Sequence, residues 1–100
     1  MKIWVDDIRP APDETWDFCA TVNGAIELIQ WYERKGTNIE VIDLDHDAGE
    51  RADSGGDYIN ILNWLEETGR NYPIRIHSMN PVGVENMRRI IERNGWEEVR

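Results

Sequence analysis

The chain has one cysteine, one phenylalanine, four prolines and two histidines among 100 residues, and only 11 basic side chains against 20 acidic ones. A lone cysteine, Cys19, excludes an internal disulfide framework and a cysteine-based zinc site. Its neighbours Phe18 and Ala20 suggest a buried strand thiol. No apolar run approaches the ~18 residues of a membrane span. The start, Met1-Lys2-Ile3-Trp4-Val5-Asp6-Asp7, turns acidic too soon for a signal peptide, so a cytoplasmic, reducing setting is expected. The shortage of positive charge leaves a net charge of -9. Long nucleic acids and anionic membranes would meet repulsion and are not expected partners. There is no Walker-type or GxGxxG loop, and Ser54-Gly55-Gly56 is too short a pattern to cradle a nucleotide.

What is present suffices for one modest core. Hydrophobic residues make up 40%, five of them tryptophans that can act as large anchors. Residues 1–100 are therefore expected to form a single domain. Ile3 to Val5 reads as a buried strand ended by Asp6 and Asp7. Pro10 and Pro12 make residues 8 to 16 a loop. Asp17 to Val22 is a second strand, and Asn23 can cap a helix that Gly36 closes. Glu40 to Leu44 is a third strand, and residues 48 to 56 read as loop. Asp57 can cap a helix carrying Tyr58, Ile61, Leu62 and Leu65 at i, i+3, i+4 and i+7, which Gly69 stops. Ile74 to Ile76 is a fourth strand. Asn80-Pro81 opens a helix as N-cap and first residue, with Met79 and Val84 placed for a hydrophobic staple. Gly95 ends that helix before a last strand within Trp96 to Val99. Alternating strands and helices imply right-handed crossovers and a parallel sheet.

Ligands of open parallel sheets bind beyond the carboxyl ends of the strands. There this chain places Asp6, Asp7 and Arg9, then Asp45, His46 and Asp47, then His77, Ser78 and Asn80. Strand one lying between two and three, with four beside three, would bring these clusters together. Neighbouring carboxylates repel, and a cation relieves that. Oxygen ligands suit Mg2+, with Mn2+ or Zn2+ as alternatives, since two histidines and an aspartate also suit zinc. Arg9 could grip a phosphate, with Ser78 and the start of the Asn80-Pro81 helix holding its other oxygens. His46 and His77 could serve as general base and acid, because imidazole titrates near neutrality. Arg88, Arg89 and Arg93 read instead as an ion-paired helix face, with Glu85 four before Arg89 and Glu92 four after Arg88.

The order of these features resembles the receiver domains of response regulators. The chain departs from them in Ile8-Arg9-Pro10-Ala11-Pro12, where receivers have a helix, and in lacking a Lys after the last strand. A closer resemblance is to the cyclic-phosphate processing receiver domain family. Its hallmarks D-D-x-R-x-x-P, L-D-H-D and H-S-x-N-P match Asp6 to Pro12, Leu44 to Asp47 and His77 to Pro81, and Gly49 fits its following glycine. The resemblance implies an α/β, flavodoxin-like, three-layer fold. Its five-stranded parallel sheet would run in the order 2-1-3-4-5. The residues themselves leave no helix after strand one, where Pro10 and Pro12 stand, and none is expected after strand five. The resemblance selects Asp45 over Asp43 as the receiver-type acceptor, and it implies processing of a cyclic phosphate.

Three functions follow as expectations. The first is a metal-assisted phosphoesterase opening a cyclic phosphate or nucleotide-like phosphodiester. Asp6, Asp7 and Asp45 would hold the metal, His46, His77 and Asp47 would handle protons, and Arg9, Ser78 and Asn80 would bind the substrate. The second is a signalling receiver phosphorylated on Asp45. The third is a non-catalytic sensor of a metal or cyclic nucleotide. It would meet a protein partner, or a second copy, through the open last strand and exposed tryptophans.

Overall fold

Strands of two to four residues and three helices alternate along the chain, in a computed structural model that describes residues 1–100, residue 50 by its backbone alone. The elements are β1 (Lys2–Val5), β2 (Trp16–Cys19), α1 (Val22–Lys35), β3 (Val41–Leu44), a 3-10 helix (Gly49–Ser54), α2 (Ile59–Glu67), β4 (Ile74–Ile76), α3 (Pro81–Asn94) and β5 (Glu98–Val99). All neighbouring strands are parallel, in the order β2-β1-β3-β4-β5. This is the expected receiver-like sheet, and no helix lies between β1 and β2.

From β2 onward every crossover moves the chain the same way along the sheet. Right-handed connections therefore put α1, α2 and α3 on one face. Burial agrees. The main core gathers Ile3, Val5, Cys19, Ile42, Leu44 and Ile74 from alternate strand positions with helix residues such as Ile29, Leu62 and Met87. The residues between them, Trp4, Asp43 and Arg75, stand abreast in register and point to the other face. There the layer is the loop after β1, whose Arg9 carbonyl accepts from Trp4 Nε1 at 3.0 Å.

Several local expectations change. Thr21 rather than Asn23 caps α1, because its Oγ1 accepts from the Gly24 N–H at 2.9 Å. Asp57 does not cap α2. Its Oδ1 accepts from Ala48 N at 3.0 Å, and Tyr58 holds the cap position without a side-chain bond. The stretch expected as loop forms the 3-10 helix. Met79 is 83% exposed, so it anchors no staple. Asn80 caps α3 as expected, accepting from Gly83 N at 3.0 Å, with Pro81 in the first turn. Arg88 pairs with Glu98 of β5 rather than Glu92, Arg93 reaches Glu66 of α2, and Arg89 meets Glu85. The tryptophans do not form one set of anchors. Trp4 and Trp96 are buried, Trp31 is exposed, and the largest wholly buried side chain is Tyr58.

Cys19 is buried as expected, and burial, aided by the charge of Asp17, pushes its thiol up to about 11. The native protein should therefore resist a thiol-directed disulfide reagent at neutral pH and react only on unfolding. Rapid labelling of the folded chain would contradict this packing.

Candidate functional site

The parallel ladder runs one step beyond the strands. Asp6 N donates to Cys19 O, Asp45 N to Val5 O, and His77 N to Leu44 O, at 3.2, 3.0 and 3.0 Å. Asp6, Asp45 and His77 thus sit abreast at the carboxyl edge. The pleat puts them on the face that carries Trp4, Asp43 and Arg75.

Asp6, Asp7 and Asp45 each bring an oxygen within 4.8 Å of the others. Asp6 is 1% exposed. Its Oδ1 accepts from the N–H groups of Ile8 and Arg9 at 2.9 and 3.0 Å, and its Oδ2 from His77 Nε2 at 2.8 Å. Those bonds occupy three of its four lone-pair sites and leave one direction, on Oδ2. Burial would push Asp6 up, but these donors outweigh it and hold the carboxyl below its ordinary value. Asp7 goes the other way. Burial raises it, and the charges of Asp6 and Asp45 raise it further, which is the repulsion a cation would relieve. An all-oxygen set fits Mg2+ or Mn2+. Gly49 belongs to this geometry: at φ 56° it lies so near Asp7 that a Cβ would stand 2.6 Å from Oδ2.

Asp45 Oδ1 accepts from His46 N at 2.8 Å. The His46 ring lies on Gly83, in the first turn of α3, with Nδ1 on Asp47 Oδ1 at 2.9 Å. Its Nε2 has no hydrogen-bond partner among the described residues. Asp47 is held by His46 foremost, with Asn80 Nδ2 on its second oxygen at 3.4 Å, and lies below its usual range. Tyr58 N donates to the His46 carbonyl, fixing this segment to the start of α2.

His77 has both nitrogens engaged, Nδ1 with Asp43 at 2.6 Å and Nε2 with Asp6. Burial alone would lower its pKa, but the hydrogen bonds and charges of Asp43 and Asp6 outweigh it and raise the imidazole above 6.5. The stabilisation from this pairing is complete below pH 6.5 and declines as pH rises through the raised value. Asp6 contributes in the opposite sense, fully above 3.8 and progressively less below it. The melting temperature should thus fall as pH rises above 6.5 in the native protein but not in His77→Gln. Parallel profiles would contradict the pairing.

Arg9 Nη1 donates to the His77 carbonyl at 3.2 Å and keeps its other N–H groups free. Ser78 Oγ accepts from Asn80 N at 3.1 Å and keeps its proton to donate. At the start of α3, Pro81 has no N–H, while Gly83 and Val84 donate to Asn80, which leaves Val82.

The family model of the cyclic-phosphate processing receiver domain matches residues 1–93. The chain belongs to this family. No curated protein and no solved structure matches it. The receiver-domain motifs expected from the sequence lie together at the sheet edge. Trp4, Asp57 and Gly83 were not among the expected site residues, and Asp43 was set aside in favour of Asp45. The two-residue pleat was the available signal for Trp4 and Asp43, since 4 and 6, and 43 and 45, share a face.

Proposed function

We propose that this domain hydrolyses a cyclic phosphate at the carboxyl edge of its sheet, with Asp6, Asp7 and Asp45 holding a divalent cation. The observation that carries the reading is His46, with Asp47 on its Nδ1, beside a cluster of three carboxylates. A cation bound there would supply Lewis-acid charge to the phosphoryl oxygens. Asp47 fixes the proton of His46 on Nδ1 and so leaves Nε2 to accept the proton of the attacking water. Opening of the ring releases an alkoxide, which solvent protonates, giving a phosphomonoester. Arg9 and the Ser78 hydroxyl bind the phosphate. Asn80 acts through Asp47, since its own amide is committed to Asp47 and Gly83. His77, expected to exchange protons, is reassigned here to holding Asp6, because both its nitrogens face carboxylates.

Purified protein with Mg2+, Mn2+ or Zn2+ should open members of a panel of nucleoside and non-nucleoside cyclic phosphates. No turnover across that panel would overturn the proposal. Membership of a receiver family favours a second reading, phosphorylation of Asp45. Labelling by acetyl phosphate that is lost in Asp45→Asn would support it.

A further inference from the structure

Two side chains behind the site have no role in the reaction described above, yet both touch His77. Asp43 is wholly buried in β3. Its Oδ1 accepts a hydrogen bond from His77 Nδ1, and its Oδ2 has no hydrogen-bond partner among the described residues. Arg75 Nη1, 3.5 Å away on β4, supplies its counter-charge. Burying a carboxylate with one oxygen short of a hydrogen bond costs desolvation, and what that carboxylate holds in return is His77, with Arg75 as counter-charge. Val41, two residues earlier on the same face, is apolar and carries no such cost. Trp4 stacks on the His77 ring with centroids 3.8 Å apart and planes 4° from parallel. Its other edge meets Trp16 at 5.7 Å and 80°, and its Nε1 holds the Arg9 carbonyl.

We propose that Asp43 and Trp4 are positioning residues that fix His77 in one orientation, so that Nε2 pins Oδ2 of Asp6 and leaves that carboxylate a single direction toward the site. The consequence for a cation rests on the reading that Asp6 belongs to its ligand set. The fixing of His77 does not. Trp4 sets the plane of the ring and Asp43 sets its rotation. Because Trp4 also holds Arg9, the contacts for cation and for phosphate share one support. Outer partners of metal ligands typically alter affinity by about 10–100-fold when removed.

The test uses the full chain and two readouts. In histidine-ring NMR spectra, native protein should show two exchange-protected ring N–H protons that vanish in His77→Gln. Asp43→Leu should lose the Nδ1 proton, and Trp4→Leu should broaden both. By calorimetry, Mn2+ should bind at least about tenfold more weakly to both leucine variants. Asp43→Asn, which keeps an acceptor for Nδ1, should stay within a few-fold of native. Melting of Asp43→Leu should fall, because the buried His77 Nδ1 and the Arg75 charge lose their partner, so the ring protons and the comparison with Asp43→Asn, rather than melting, separate positioning from a merely structural role. Trp4→Leu carries the test if Asp43→Leu does not fold. Unchanged ring protons in the leucine variants would overturn the inference. Absence of Mn2+ binding to native protein would instead overturn the cation reading and leave the ring protons to decide this one.

Discussion

Replacing His46 with glutamine should lower kcat for cyclic-phosphate hydrolysis by about 10^2–10^4-fold, the range that a positioned acid–base group contributes. Glutamine is similar in reach and still polar, but it cannot take up and release a proton. His46 is the histidine with a free ring nitrogen, since Asp47 occupies its Nδ1 and both nitrogens of His77 face carboxylates. KM should change little, because phosphate binding is assigned to Arg9 and Ser78, and a loss confined to kcat marks an interaction made only in the transition state. Steady-state kinetics on a cyclic phosphate turned over by the native protein measures both. A sensor without catalytic function predicts instead that ligand binding survives His46→Gln combined with His77→Gln.

Gly83→Ala should separate activity from stability. An added Cβ would stand 2.4, 2.6 and 2.8 Å from Cγ, Cδ2 and Nδ1 of His46. Carbon atoms do not approach so closely, so the imidazole must shift by about an ångström. A displacement of that size at a reacting group is enough for about a 10^2-fold loss. The same change favours the helix itself, since alanine exceeds glycine by about 1 kcal/mol in helix propensity. The expected result is a large fall in kcat without a proportionate fall in melting temperature. Native activity in Gly83→Ala would mean that the place of His46 against α3 does not matter for turnover.

Much of the fold was legible because local signals agreed. The apolar triplet Ile3-Trp4-Val5 ended by Asp6 marks β1, Val41-Ile42 marks β3, Asn80-Pro81 marks the start of α3, and the helical spacing of Tyr58, Ile61, Leu62 and Leu65 predicts a face that is wholly buried. Boundaries failed where two residues could perform one task. Thr21 and Asn23 are both capping residues, and only the reach of Thr21 Oγ1 to Gly24 N separates them. Asp57 fits capping grammar, but the N–H of Ala48, nine residues earlier, takes its oxygen instead. At the site, grouping followed from strand ends alone, whereas the commitments of individual atoms did not. Nothing in one dimension shows that His77 meets two carboxylates from different strands. Asp43 was passed over because the receiver resemblance favours Asp45, although the pleat places both on one face. Gly83 carried a signal too: a glycine within a helix marks a close approach by another group.

The most direct test of the account is 31P NMR of the panel of cyclic phosphates, nucleoside 2′,3′-cyclic phosphates among them, each incubated with the protein and Mg2+ or Mn2+. Conversion of a cyclic resonance to that of a phosphomonoester by native protein, stopped by chelator and by Asp45→Asn, is the predicted result. Cyclic resonances that all stay unchanged with the native protein, or that are consumed equally by Asp45→Asn, would contradict it.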